Sequence, residues 1–298
     1  MIADIDHNIH PKTNAWLLPR AITLLRCTEC QAQDFLLYRD ESMPLGILLH
    51  CVIVCQNCQT CFKYEQGIIE MLQEKPANLT LAQRTNFWNP VAHRYQKRWR
   101  NWCMSLFCSE KFPNEREKEK LTDWLQMDSL PLQPVCIDLA TSHGFYAIAL
   151  AKKMIEKQID GIVLAVDFSK KMLIQAVEQA ELAGVSDKIL WILADAESPI
   201  FTEKAADRIT CGGSMNEYRH ASKVLANAYE WLNDSGLFFV MNLFRKNNFS
   251  GIMLDGIHRI SGLNFLSLQR WNESFTKNKF ILHRQESTGI VMFTLLNK

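Results

Sequence analysis

The stretch from Val135 to Asp167, VCIDLATSHGFYAIALAKKMIEKQIDGIVLAVD, decides the fold. An apolar run, Val135-Cys136-Ile137, stops at Asp138. Small residues follow at Ala140, Thr141, Ser142 and Gly144, then a helical stretch, then a second apolar run from Ile162 to Val166 that is closed by Asp167. Short apolar runs bounded by turn residues are buried strands, so the stretch predicts strand, tight turn, helix, strand. In such a βαβ unit the small residues let a ligand approach the backbone where the helix N-terminus offers free N–H groups. The acid closing the second strand can accept hydrogen bonds from a ribose diol. The unit therefore predicts a nucleoside site.

A dinucleotide fingerprint would place G-x-G-x-x-G in the turn, and this turn holds one glycine, Gly144, which disfavours NAD. The run D-L-A-T-S-H-G from Asp138 to Gly144 instead resembles motif I of the class I S-adenosylmethionine-dependent methyltransferases, D-L-G-C-G-T-G. Ala140 and Ser142 stand at two of its glycines. The resemblance implies that the methionine part of the cofactor passes close to Ala140, Ser142 and Gly144, which requires negative φ angles at Ala140 and Ser142. It also places Asp138 near the amino and carboxylate end of the methionine.

The likeness continues downstream. Asp167-Phe168-Ser169-Lys170-Lys171-Met172-Leu173 matches the family's D-x-S-x-x-M-L. That match implies Asp167 on the ribose hydroxyls, Phe168 and Met172 beside the cofactor, and Ser169 capping the next helix. Ala194-Asp195-Ala196 is similar to the family's A-D-A, which implies that Asp195 accepts from the adenine amino group while the backbone at Ala196 meets the ring. DRITCGGSMNEYRH, residues 207–220, resembles the motif IV region that lines the methyl-transfer face. Cys211, Gly212 and Gly213 then present bare backbone to sulfonium and acceptor. Beyond them Ser214, Asn216, Glu217, Tyr218 and His220 face the acceptor, with Glu217, Tyr218 and His220 the catalytic candidates. Glu217 or His220 can take a proton from a hydroxyl or amine. The same residues open the following helix, so capping competes with catalysis at each of them. His143 either contacts the acceptor or fills the turn.

From Val135 onward strands at 135–139, 162–167, 189–194, 207–213 and 237–243 alternate with helices at 145–157, 169–183 and 218–233, which is parallel β/α winding. The runs KFILHRQ and GIVMFTLLN leave no room for a crossover helix, so they form an antiparallel pair set apart by Glu286 to Thr288. The resemblance implies an α/β fold: a class I, Rossmann-like seven-stranded sheet with an antiparallel terminal strand. The expected division is a zinc ribbon over residues 1–75, a helical lid or linker over 76–130, and a cofactor-binding methyltransferase domain over 131–298.

The chain has 10 cysteines. An N-terminus with early acids and no apolar segment of the roughly 20 residues that span a bilayer predicts a cytoplasmic protein without a membrane span. In a reducing compartment clustered cysteines indicate metal rather than disulfides. Cys27-x2-Cys30 is followed after 24 residues by Cys55-x2-Cys58. Two such knuckles make one closed tetrahedral zinc site, structural in character, that staples a segment too small for its own core. Cys51 and Cys61 compete for the ligand quartet. FKYEQGIIEML resembles the tail of the small zinc ribbons that precede some methyltransferase domains, in ribosomal RNA guanine methyltransferases and in a cyanobacterial and plastid group. NFWNPVAHRYQKRWRNW is similar to the Tyr- and Arg-bearing helix before motif I in those proteins.

Two acceptor classes follow. Arg94, Lys97, Arg98 and Arg100, interleaved with Trp88, Tyr95, Trp99 and Trp102, suit an RNA backbone and stacked bases. They do not share one helical stripe, however, and a solvated lid with an aromatic inner face is the simpler reading. Lys and Arg total 33 against 32 acids, a net charge of +1, which offers no global attraction to RNA. A small molecule, a specialised metabolite or modified peptide among them, is the expected acceptor. Its apolar pocket would be walled by Trp88, Tyr95, Trp99 and Trp102. The alternatives are an RNA base methyltransferase that grips RNA with its ribbon, and a non-catalytic cofactor-binding protein.

Overall fold

A computed structural model describes residues 14–38, 50–72, 100–246 and 261–298, together with Leu254 and His258. Its strands are β1 (Phe35–Tyr38), β2 (His50–Cys55), β3 (Cys61–Glu65), β4 (Ile68–Glu70), β5 (Val135–Leu139), β6 (Ile162–Asp167), β7 (Ile189–Leu193), β8 (Ala206–Gly212), β9 (Leu232–Leu243), β10 (Ile281–Thr288) and β11 (Val291–Asn297). The described helices are α1 (Leu18–Ile22), α2 (Arg100–Cys108), α3 (Asn114–Trp124), α4 (Phe145–Glu156), α5 (Lys170–Leu182), α6 (Ala221–Trp231) and α7 (Leu268–Lys277).

All eleven strands of the described residues join in one sheet, in the order β1-β2-β3-β4-β7-β6-β5-β8-β9-β11-β10. The β7-to-β10 part has the seven strands expected, parallel except for β11, which is antiparallel to both β9 and β10. The sheet itself is larger than seven, because the N-terminal segment adds four strands to it. β4 pairs in parallel with β7. The ribbon is thus an extension of the same sheet. The terminal hairpin also turns later than the sequence suggests, since β10 runs through Glu286, Ser287 and Thr288 before Gly289 turns the chain at φ +61.

The central strands are apolar on both faces because both faces are covered. Ile137, Leu164 and Ile192 point into one core with Leu225, Trp231, Trp271 and Phe275, and the ribbon contributes Phe62, Tyr64, Ile69 and Met71 to it. Cys136, Val163 and Trp191 point the other way, into a core with Leu150, Leu173, Phe239 and Phe293. α3 closes that second face. Its Trp124 meets Phe239 edge-on at 5.8 Å between ring centroids, and Lys120 is ion-paired with Glu286 of β10. The described end of the expected lid is therefore a layer of the sheet sandwich. Its apolar residues Leu121 and Trp124 recur at i and i+3 and bury against the sheet. The walls expected at Trp88, Tyr95 and Trp99, and the bases Arg94, Lys97 and Arg98, lie outside the described residues, as do the side chains of Arg100 and Trp102.

Candidate functional site

The turn after β5 is tied down at three points. Thr141 N donates to Val166 O at 2.9 Å and Gly144 N to Thr141 O at 2.8 Å, while Ser142 N donates to the Asp167 carboxylate at 2.8 Å. Ala140 and Ser142 hold φ of +50 and +52. This overturns the expectation of negative φ at both, and it explains why glycines are usual there: the turn needs left-handed backbone. The left-handed region costs an L-residue about 1–2 kcal/mol, partly offset in glycine by its greater freedom when unfolded. Ala140→Gly and Ser142→Gly are each expected to stabilise the protein by about 0.5–1 kcal/mol and to raise Tm by roughly 1–2 °C. Thermal melts check this, and a fall in Tm for both variants would contradict the left-handed turn.

Gly144 cannot be replaced so simply. At φ +83 it is left-handed too, and an added Cβ would lie 2.9 Å from the ring edge of Trp191.

Asp138 is buried, with both oxygens engaged. One carboxylate oxygen accepts from Thr141 Oγ1 at 2.5 Å and from Ala147 N at 3.1 Å, the other from Thr210 Oγ1 at 2.7 Å. Burial pushes its carboxyl up to about 6 against these bonds, which pull it down. The residue joins the turn, the first turn of α4 and the neighbouring strand β8. Its oxygens are spent on the protein, so any influence of Asp138 on the methionine end passes through the turn backbone that it holds. Thr141 and Thr210, which sequence reasoning passed over, are its partners.

Asp167 ends β6 with both oxygens held by backbone. Ser169 N donates to Oδ1 and Ser142 N to Oδ2, each at 2.8 Å. The backbone of Phe168 bonds the carboxylate as well, so one of its about four acceptor positions stays open, and the residue fits the ribose of a nucleoside. Burial raises it to about 6. Ser169 also caps α5, accepting from Met172 N. Met172 is buried, and its sulfur lies 3.7 Å from Ser142 Oγ, so the turn and the start of α5 meet. Phe168 is half-buried. At the end of β7, half-buried Asp195 accepts from Glu197 N at 2.9 Å through Oδ1. Burial raises its carboxyl as well. Ala196, beside it, is buried.

The β8 end departs from expectation. Gly212 does not leave bare backbone toward a ligand, because the Tyr146 ring fills its missing side chain: an added Cβ would lie 2.6 Å from that ring. Tyr146 is held there by its hydroxyl, which donates to Glu117 Oε1 of α3 at 2.7 Å. Cys211 is buried with its thiol pushed up to about 12 by desolvation. Tyr218 is buried too, its hydroxyl near that thiol and held well above its ordinary pKa by burial, so it faces the core rather than an acceptor. Asn216 braces the loop by bonding Leu243 and Asn264. His220 is exposed, 2.9 Å from Glu197 through Nδ1. Glu217 is half-buried, and desolvation, reinforced by the charge of Asp167, pushes it up to about 7.

The N-terminal segment expected as a ribbon brings four sulfurs together. Cys27, Cys30, Cys55 and Cys58 Sγ atoms all lie within 4.8 Å of one another, with Cys27–Cys58 at 3.6 Å and Cys30–Cys55 at 3.5 Å. Tetrahedral Zn–S bonds of about 2.3 Å imply sulfurs about 3.8 Å apart, so the quartet fits zinc. Each knuckle closes alike: the residue after the second cysteine, Gln31 or Gln59, is left-handed and donates its N–H to the first cysteine's carbonyl at 2.9 Å. Cys51 is buried on β2, and Cys61 is turned to solvent, so neither joins the quartet.

Residues 136–236 match the methyltransferase domain family. No curated protein sequence matches the chain. Among solved structures, a chain of the complex between the Haloferax volcanii Trm112 methyltransferase activator and its methyltransferase is 13% identical with a TM-score of 0.52, covering 69% of this chain and 96% of its own. The geranyl diphosphate C-methyltransferase of Streptomyces coelicolor, solved with S-adenosyl-L-homocysteine, is 12% identical with a TM-score of 0.50, covering 61% and 74%. At these identities the likeness is one of fold. The chain thus matches a methyltransferase domain over residues 136–236 and shares the fold of these methyltransferases. Among the described residues, no helix is long and apolar enough to cross a membrane.

Proposed function

We propose that the protein transfers the methyl group of S-adenosylmethionine to an oxygen or nitrogen of a small molecule, a specialised metabolite or modified peptide among the candidates. The carrying observation is Asp167: a buried carboxylate that closes the second strand of the βαβ unit beside the small-residue turn, steadied by the backbone of Ser142, Phe168 and Ser169. Asp195, at the end of the adjacent strand, supports the reading as the partner of the adenine amino group. The cofactor supplies a carbon already activated by positive sulfur. Positioning then provides much of the rate, and the chain's own task is to hold both reactants in line and to receive a proton. Glu217, close enough to feel the charge of Asp167 and poised near neutrality, suits that proton transfer better than Tyr218 or His220.

The test uses the full chain, methyl-labelled S-adenosylmethionine and cell extract, with products separated by size and by nuclease sensitivity. Label is expected in the small-molecule fraction. Label in nuclease-sensitive material would replace this reading with an RNA methyltransferase, and failure to bind either S-adenosylmethionine or S-adenosylhomocysteine at millimolar concentration would remove the cofactor assignment.

A further inference from the structure

We propose that the four-cysteine ribbon is a positioning element of the cofactor site, so that zinc on Cys27, Cys30, Cys55 and Cys58 sets the affinity of the methyltransferase domain for its cofactor. This rests on the assignment of Asp167 and Asp195 to cofactor binding.

Ribbon backbone reaches the site by two routes. On the first, β4 pairs in parallel with β7 through Ile68↔Trp191, Ile69↔Ile192 and Glu70↔Leu193, and Met71 N extends the ladder to Leu193 O at 2.9 Å. Asp195 lies two residues beyond. On the second, the chain entering the first knuckle grips the far end of the same loop. Arg26, directly before the ligand Cys27, donates its N–H to Ile200 O at 2.9 Å, Thr202 N donates to Leu24 O at 2.9 Å, and Leu25 bridges Phe201. The segment that carries Asp195 is therefore anchored at both ends by the ribbon. Thr28 Oγ1, inside the first knuckle, closes the circuit by donating to Met71 O at 3.3 Å.

Side chains tighten the same joint. Buried Asn14 donates through Nδ2 to Gly67 O at 3.2 Å and to Ile189 O at 2.5 Å, while its Oδ1 accepts from Tyr64 OH at 2.7 Å. One amide thus ties β3, the β3–β4 turn and the start of β7. Glu70 and Glu65 hold Lys170, three residues beyond Asp167. Without the ribbon, β7 would become the sheet edge with open N–H and C=O groups, and Leu190, Ile192, Ile200 and Phe201 would lose Leu25, Ile69 and Met71 from their shared core. A ribbon of this size has no sufficient core of its own and keeps its shape through the metal. Loss of the metal therefore loosens β7 and the loop after it.

Hydrogen exchange on the full chain, zinc-loaded and zinc-stripped, tests the brace without any need for cofactor. Residues 189–202 are expected to exchange at least tenfold faster without metal, while β9 and β11 keep their protection. Calorimetry with S-adenosylhomocysteine should show affinity at least tenfold weaker in the stripped chain and in Cys27→Ser with Cys58→Ser. Asn14→Ala should keep about one zinc per chain and still weaken binding several-fold, a pattern that a merely local metal site would not give. Unchanged exchange over 189–202 overturns the proposal. So does equal loss of protection in β9 and β11, since the metal would then hold the whole fold. If the zinc-loaded wild type binds no S-adenosylhomocysteine, the cofactor assignment fails on its own, and the exchange result alone decides the brace.

Discussion

Replacing Glu217 with Gln is expected to lower kcat by about 10²–10⁴-fold while the affinity for S-adenosylhomocysteine changes little. A general base works best when its pKa lies near the working pH, and desolvation has moved this carboxyl from an ordinary 4.5 to about 7. Below about 7 the group carries its proton and cannot take another, so wild-type kcat should rise with pH through that point, and the residual activity of the Gln variant should not. Stability gives a second signature with the opposite slope. Because the folded pKa is raised above the unfolded one, the native state binds more protons between about 4.5 and 7, and this residue's contribution falls as pH rises through that window. Gln removes the penalty, so the variant should be more stable than wild type at pH 8, by on the order of 1–3 kcal/mol, and not at pH 4. Steady-state kinetics and melts across pH measure both. An unchanged kcat would mean that an acceptor arrives already deprotonated or that another group takes the proton.

Asp167→Asn should weaken S-adenosylhomocysteine binding about 10- to 100-fold. A hydrogen bond from a ribose hydroxyl to a charged acceptor is worth about 1.5–3 kcal/mol, and an amide offers one acceptor oxygen where the carboxylate offers two. The pH dependence again has a definite sign. Burial raises the Asp167 carboxyl to about 6, and a ribose diol favours its ionised form. Wild-type affinity should therefore be flat above about 6 and decline by up to tenfold per pH unit below it. The Asn variant should lack that decline. Calorimetry at pH 5, 6 and 7.5 reads the difference, and an Asn variant that binds as tightly as wild type would remove Asp167 from the cofactor site.

The βαβ unit was legible because its signals are local. Continuous apolar runs ended by Asp138 and Asp167, with small residues between, admit few other readings. The helix cap at Ser169 was legible for the same reason. The metal quartet was half legible: C-x2-C spacing fixes the knuckles, yet nothing in it says that Cys51 lies on a buried strand position while Cys61 turns to solvent. Backbone handedness at Ala140 and Ser142 was misread, because side-chain identity argued against a conformation that the turn imposes through its bonds to β6. Gly212 looked like an approach for ligand because glycine records only the absence of a side chain and not which neighbour uses the space. Least legible was the β4–β7 joint. A three-residue strand and a lone Asn14 carry no pattern that names their distant partners.

That joint also shapes how the chain is made. The two knuckles lie within residues 27–58 and can take up metal as soon as they leave the ribosome, whereas β7 begins only at Ile189. At 5–20 residues per second, the synthesis of the intervening chain takes on the order of ten seconds. During that interval the ribbon waits with Ile53, Phe62, Ile69 and Met71 unburied, the residues that later share a core with Leu190 and Ile192. Until β7 is made those four side chains lack Leu190 and Ile192 as core partners, so this is the stage at which a chaperone that shields short apolar surface would act.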